Sequence, residues 1–267
     1  MIRFLYIAFV MIGILSCQPN KQEAIDRLKS LPDNEGGQII RKAIERAGGW
    51  ENWVSKDNLS YYKQITHLDS SGAVESTEKQ FHIYELKNGF KGQIAWNIGN
   101  DSLQIINDGM HAKKYKNGIE LTDDKSKDDA WDTSFGSHYV ISMPFKLTDA
   151  GVSLTYEGID TLILDRPVHS VKVEYDKGAG STGGMHLWWY LFDVDTYDLV
   201  GNYLDHGKGY TINIYEGFQE VDGLRIHKKR NRYISNEKKE LVMLRTIYEY
   251  EEMKFDVAVN ESIFKLR

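Results

Sequence analysis

The chain has 267 residues, 41% of them hydrophobic and 27% charged, and its formal net charge is −6. This composition excludes a disordered chain and a protein that spans a membrane throughout, and it is typical of a globular domain. The mild acidity excludes nucleic acid as the default partner, because phosphate binding needs a concentrated basic face.

Residues 1–16 have the organisation of a secretory signal. Arg3 supplies a basic start, and the apolar run 4–15 is shorter than the ~20 residues that cross a bilayer core. The run ends in Ile14-Leu15-Ser16-Cys17, which contains the only cysteine of the chain. The alternative is an ordinary signal anchor with an incidental cysteine.

This ending resembles the lipobox of bacterial lipoproteins. The resemblance implies that residues 1–16 are removed and that Cys17 carries acyl chains. Each buried CH₂ of those chains contributes about 0.8 kcal/mol to membrane anchoring. Gln18, rather than aspartate, follows the cysteine. The resemblance therefore implies sorting to the outer membrane of a bacterial envelope.

The mature chain is predicted to start with a polar tether over residues 17–36, followed by a single domain over residues 37–267. An amphipathic helix is predicted over Gln38–Ala47, because its apolar residues recur at i, i+3, i+4 and i+7. Gly48-Gly49 supplies the C-terminal stop. Trp50 and Trp53 follow and are expected to pack the helix end against a sheet.

From Leu59 onward the hydrophobic period changes to two, which indicates β-strands. The predicted strands are Leu59–Thr66, Lys79–Leu86, Phe90–Ile98, Ser102–Asn107, Met110–Tyr115, Leu154–Tyr156, Thr161–Leu164, His169–Tyr175, Leu187–Asp193, Leu199–Leu204, Tyr210–Tyr215, Leu224–Ser235 and Leu241–Glu252. Asn88-Gly89, Asp108-Gly109 and Asn117-Gly118 are typical hairpin turns.

A second helix is predicted from Ser126 toward Tyr139, with Ser126 and Asp129 as a capping box. Many strands and few helices predict a mostly β, α+β fold. We expect a large curved antiparallel meander, an unclosed half-barrel wrapped around one or two helices.

The sequence offers weak candidates for enzymatic chemistry. The G-x-G-x-x-G string over Gly178–Gly183 precedes a strand-like run rather than a helix, so a hairpin loop is favoured over a nucleotide site. Asp193, Asp195 and Asp198 lack the glycine and glutamate of a calcium loop and indicate a turn.

The eight histidines show no metal-ligand spacing, and surface or hydrogen-bonded roles are expected for them. No G-x-S-x-G elbow is present, and the cysteine is assigned to lipid. We therefore predict a protein that is not an enzyme and has no cofactor and no metal.

Aromatic residues are the remaining signal: 6 Trp, 16 Tyr and 10 Phe. Neighbouring residues of a strand face opposite sides, so Trp188 and Trp189 are expected to diverge. Ordinary sheet packing is the alternative to a ligand platform. The candidate cavity residues are Trp50, Trp53, Trp96, Trp131, Trp188 and Trp189. The basic cluster Lys228–Arg232 is interpreted as a solvated β face.

Three stretches resemble the LolA/LolB-like superfamily of outer-membrane lipoprotein-sorting proteins. They are Ala47–Trp50 with Trp53, Met143–Leu147, and Leu191–Thr196 followed by Tyr215–Ile226. The resemblance implies an unclosed antiparallel barrel around helices, with an apolar cavity that accepts acyl chains. A lipid-anchored chain cannot itself shuttle between membranes, which leaves reception or binding at the membrane.

The leading hypothesis is a monomeric envelope lipoprotein, anchored through Cys17, that binds a lipid or another apolar ligand in a half-barrel cavity. The alternative is an interaction or structural lipoprotein whose core is filled by its own side chains. A hydrolase of glycans or lipids is the third hypothesis, and it needs acidic or histidine side chains that converge in a cleft.

Overall fold

The computed structural model describes residues 27–87, 90–161, 163–180, 184, 186–205, 207 and 209–267. The predicted signal segment, Cys17 and the first half of the predicted tether lie outside these residues, as do the Asn88-Gly89 turn and Gly183. No described helix has the length and apolar character needed to cross a bilayer.

The described residues form one sheet of 13 strands, in which every neighbouring pair is antiparallel. The strands are β1 Asn58–Leu68, β2 Val74–Glu85, β3 Lys91–Ile98, β4 Asp101–Asp108, β5 Ala112–Lys116, β6 Ile119–Glu120, β7 Val152–Asp160, β8 Val168–Tyr175, β9 Trp188–Asp193, β10 Leu199–Asp205, β11 Tyr210–Val221, β12 Leu224–Ser235 and β13 Leu241–Phe255. Their order is β6-β5-β4-β3-β2-β1-β13-β12-β11-β10-β9-β8-β7.

Two meanders, β1–β6 and β7–β13, are therefore joined by pairing of the first strand with the last. The edge strands β6 and β7 do not pair with each other, so the sheet is unclosed. The predicted mostly β fold with an unclosed antiparallel sheet is confirmed.

Helix α1, Glu35–Arg46, buries Ile40, Ala43 and Ile44 on one face, as its period predicts. It begins three residues before the predicted start, because Asn34 caps it by accepting a hydrogen bond from the N–H of Gly37 at 2.8 Å. A short helix α2, Trp50–Ser55, follows.

Gly48 is required between the two helices. Its φ is +107°, and a Cβ there would collide with the carbonyl oxygen of Gly223 in the β11–β12 turn. The N–H of Arg225 donates to the carbonyl of Ala47 at 2.9 Å at the same junction. The glycine stop therefore also docks α1 onto the sheet.

Helix α3, Asp124–Ile141, connects the two meanders and contacts β3, β4 and β5. The predicted capping box was wrong, because the helix starts earlier: Asp123 is the N-cap and accepts from the N–H of Ser126 at 2.9 Å. Asp129 instead pairs with Lys114. Two 3₁₀ turns are also present, Phe145–Thr148 and Glu261–Phe264.

Several predicted strand boundaries were wrong. Leu154–Tyr156 and Thr161–Leu164 were predicted as separate strands, but β7 is one strand that ends at Asp160. It continues through Gly158, whose φ is +98°, by a register shift against β8. Strand β2 begins five residues before the predicted start, at Val74.

Part of the predicted tether contacts the folded domain. Leu31 is only 6% exposed and belongs to the hydrophobic core. The guanidinium of Arg41 donates to the carbonyls of Leu31 at 2.6 Å and Pro32 at 3.2 Å. These contacts attach the segment before α1 to the folded domain.

Candidate functional site

A cavity of about 1130 Å³ lies between α3 and the sheet. Residues of both meanders line it, from β1–β5 on one side and from β9, β12 and β13 on the other. The lining residues differ in burial: Ile105 is fully buried, whereas the side chain of Ile98 is 56% exposed. The cavity therefore has a buried floor and a mouth that reaches solvent.

One wall of the cavity is apolar. Strands β3 and β4 contribute Trp96, Leu103 and Ile105, and α3 contributes Trp131 and Phe135, whose rings stack at 5.8 Å between centroids. Such a surface suits an aliphatic chain, because each buried methylene stabilises the bound state by about 0.8 kcal/mol.

Helix α3 leaves space in front of this wall at Gly136. This residue lines the cavity, and a Cβ built on it would meet no atom within 4 Å. A glycine inside a helix costs roughly 0.5–1 kcal/mol relative to alanine. Gly136 therefore keeps open a volume that a side chain would occupy.

The structure places three of the six candidate tryptophans, Trp96, Trp131 and Trp188, in the cavity lining. Trp50 and Trp53 instead pack against Phe145 in the core, where the rings of Trp53 and Phe145 stack at 4.5 Å. They pack α2 rather than line this cavity.

Trp189 faces away from the cavity, as the alternation along β9 predicts. Its ring stacks on Tyr203 at 4.8 Å, within a second cluster of buried residues. Its indole N–H donates to Glu157 at 2.7 Å. It is therefore a packing residue of the opposite face.

Two cations share one aromatic ring at the floor. The guanidinium carbon of Arg230 lies 4.1 Å from the ring centroid of Tyr248, and the Nζ of Lys63 lies 5.3 Å from it. Lys63 is 6% exposed and donates to the Oγ of Ser137 at 3.1 Å. The Nε of Arg230 is buried and has no hydrogen-bond partner among the described residues.

No described carboxylate lies within 4.0 Å of either cation. Burial and, to a smaller extent, the charge of Arg230 lower the pKa of Lys63, Glu78 acts in the opposite direction, and the result is a pKa of about 7. The floor is thus positively charged and incompletely neutralised.

A polar chain extends along β2 beside Lys63. The Nδ1 of His82 lies 2.8 Å from the hydroxyl of Tyr84, and its Nε2 lies 2.9 Å from the Oε1 of Gln80. The side-chain amide of Gln80 donates to Glu78 at 2.8 Å. Burial, together with the charge of Lys63, holds the pKa of His82 well below its usual range, so His82 is neutral.

Two more histidines are buried in the domain, outside the cavity lining. His227 stacks on Tyr215 at 4.6 Å, and burial lowers its pKa to about 3. His138 lies against Tyr84 and Phe90, and burial holds its pKa well below the usual value. Neither ring nitrogen of His138 has a hydrogen-bond partner. The described residues contain no group of three His, Cys, Asp or Glu that could hold a metal ion.

The predicted aspartate turn is structural. Asp193 accepts from the N–H groups of Asp195 and Thr196, which closes the turn. Asp198 accepts two hydrogen bonds each from Arg46 and Arg225, at 2.8–3.2 Å, and joins α1 to β12. Burial alone would raise the pKa of Asp198, but these hydrogen bonds outweigh it and lower the pKa.

No protein-family model matches the sequence, and no curated protein matches it. Solved structures share the fold. A DUF1329 family protein from Desulfovibrio piger aligns with a TM-score of 0.55 at 7% identity, over 87% of this chain and 98% of that chain. A domain from Vibrio parahaemolyticus assigned to outer membrane lipoprotein sorting aligns with a TM-score of 0.51 at 11% identity, over 86% and 96%.

At these identities the likeness shows the fold alone. The chain therefore shares its fold with these two structures, and the unclosed antiparallel sheet that the resemblance implies is present.

Sequence reasoning missed the functional candidates Lys63, Gly136 and Arg230. A signal existed for the first, since Lys63 interrupts an inward-facing series, Leu59, Tyr61 and Ile65. Arg230 belongs to the basic cluster Lys228–Arg232, which was interpreted from the sequence as a solvated β face. Nothing local in the sequence distinguishes Gly136 from any other glycine.

Proposed function

We propose that this chain is a membrane-anchored envelope lipoprotein that binds a lipid or acyl chain in the cavity between α3 and the sheet. The observation that carries the proposal is the cavity itself. Its volume of about 1130 Å³ is slightly larger than the roughly 300–1,000 Å³ typical of ligand sites. Aromatic and aliphatic side chains form one wall of the buried part of the cavity.

The anchoring half of the proposal rests on the lipobox-like ending at Cys17 and on Gln18 after it. Acylation of Cys17 would hold the domain at a membrane, where its ligand is concentrated. The fold shared with a domain assigned to lipoprotein sorting supports an envelope role. A single binding domain over residues 37–267, extended by the packed segment before α1, would face the aqueous side.

The structural alternative, a filled core, is disfavoured by the same cavity. A chain that serves only as a scaffold has no need for an open volume, because cavities in a core reduce stability. The open position at Gly136 is one that a larger side chain could fill without collision.

Hydrolysis is the second candidate function, and one contact favours it. Lys63 has a pKa of about 7 and lies 3.1 Å from the Oγ of Ser137, so a neutral lysine could accept the proton of this serine. Ser137 lies in the interior of α3, where backbone N–H groups are engaged in the helix. The described part of α3 around Ser137 therefore offers no free backbone donors of the kind that usually stabilise an oxyanion.

The test uses the chain from residue 17 with Cys17→Ser, expressed without its lipid and extracted gently. We expect native mass spectrometry to show a co-purified lipid, and expect the delipidated protein to bind a fluorescent fatty-acid ester without cleaving it. A protein that carries no lipid and binds no probe refutes the proposal. Cleavage of the ester that is lost in Ser137→Ala establishes the hydrolase instead.

A further inference from the structure

We infer that the cavity selects an amphiphile with an anionic head group, which binds between Lys63 and Arg230 while its chain lies along the apolar wall. This inference rests on the proposed function and specifies its ligand. It concerns the floor of the cavity, where the lining departs from the apolar character expected from the sequence.

The arrangement of the two cations carries the inference. Both lie within 6 Å of the Tyr248 ring centroid, on strands β1 and β12 of opposite meanders. Like charges that share a site repel each other, and cation–π contact offsets only part of this cost. Lys114, another cation of the cavity lining, pairs with Asp129. At the floor, the missing partner is an anion.

The hydrogen-bond donors of Arg230 and Lys63 are also of the kind that binds an anion. Arg230 retains a buried Nε–H without a partner, and a guanidinium binds carboxylate or phosphate oxygens through paired N–H groups. Lys63 adds a compact ammonium whose only described hydrogen bond goes to the neutral Ser137. An anion would therefore satisfy groups that the protein leaves unsatisfied.

The apolar wall determines what is attached to that anion. Trp96 and Ile105 are buried lining residues on β3 and β4, and Phe135 on α3 completes the wall. A free inorganic anion would leave this surface in contact with water. An aliphatic chain would cover it, so the two halves of the site together indicate an anionic amphiphile.

The experiment measures binding of a dansyl-labelled undecanoic acid and its methyl ester, which differ only in head-group charge. We expect the Cys17→Ser chain to bind the acid at least about tenfold more tightly than the ester. Arg230→Gln should abolish that preference and leave ester binding within about twofold. Lys63→Met, a second variant that removes a buried charge, should reduce the preference in the same direction.

Lys229→Gln is the matched control. Lys229 is adjacent on β12, faces the opposite side and pairs with Glu216 at 3.1 Å. It should retain the full preference for the acid. The head-group inference is overturned if the unmodified site binds acid and ester equally, or if Arg230→Gln and Lys229→Gln have equal effects. In either case, binding of the ester still supports the proposed function. Failure to bind either probe contradicts both the head-group inference and the proposed function.

Competition then identifies the source of the anion. Displacement of the probe by dodecanoate but not by dodecyl phosphate assigns a carboxylate lipid, and the reverse assigns a phosphate head group. Displacement by inorganic phosphate at the same concentration contradicts the inference, because it shows that the chain contributes nothing to recognition.

Discussion

Gly136 offers the sharpest test of the cavity, because its substitution separates ligand binding from stability. A leucine there would project four carbons into space that no protein atom occupies within 4 Å of the Cβ. Displacing about four methylenes of a bound chain, at roughly 0.8 kcal/mol each, weakens binding by about 3 kcal/mol, or roughly 150-fold. Leucine also favours the helix by about 0.5–1 kcal/mol relative to glycine, so the protein should become more stable.

The assay pairs Gly136→Leu with Gly136→Ala, which gains most of the helix preference but adds one carbon. Probe titration should show a few-fold loss for alanine and about two orders of magnitude for leucine. Urea unfolding should show both variants at least as stable as the parent chain. A leucine variant that is more stable and binds the probe as well as the parent would refute a ligand in this cavity.

Three further predictions concern stability and anchoring. Native Lys63, with a pKa of about 7, loses its proton before the unfolded lysine does, so stability should rise with pH between about 7 and 10.5 by up to 1.4 kcal/mol per unit. Lys63→Met should remove that slope, and below pH 7 the variant should be more stable than the parent chain by up to about 5 kcal/mol. Urea unfolding at pH 6 and at pH 9 measures both effects. The charged groups that face Lys63 from other strands, Glu78 and Arg230, are unchanged in this variant. Buried His82, His138 and His227 stay neutral while the unfolded chain gains their protons, so stability should fall below about pH 6.5 with a slope approaching three protons. In urea unfolding between pH 4 and 6.5, His227→Phe should lower that slope by one proton. Cys17→Ser in the full chain should move the protein from the membrane fraction to the soluble fraction, and persistent membrane partition would contradict acylation at Cys17.

Much of the fold follows from local rules. The alternation from Leu59 onward predicts strands because successive side chains face opposite sides of a sheet. Asn117-Gly118 and Asp222-Gly223 both adopt positive φ at two consecutive residues, the conformation that a tight hairpin requires. Each hairpin therefore sets its own register, and a meander results without long-range information.

The cavity could not be predicted in the same way, because its residues meet through pairings distant in sequence. Pairing of β1 with β13 brings Lys63 opposite Tyr250, and β12 then places Arg230 opposite Tyr248. Ser137 reaches the same point from a helix between the meanders. No local pattern encodes these meetings, which explains why Arg230 was interpreted as a surface residue.

The polar floor bears on the choice between a ligand site and a scaffold. Charged Lys63 is disfavoured by burial, His138 has two unsatisfied ring nitrogens, and Arg230 has an unsatisfied Nε. Replacing such groups with apolar residues of similar volume often leaves stability unchanged or increases it. Lys63 and Arg230 line the cavity, and their burial as unpaired cations destabilises the empty protein. An anionic ligand would neutralise the two cations and cover the apolar wall, so the features that oppose folding would favour binding.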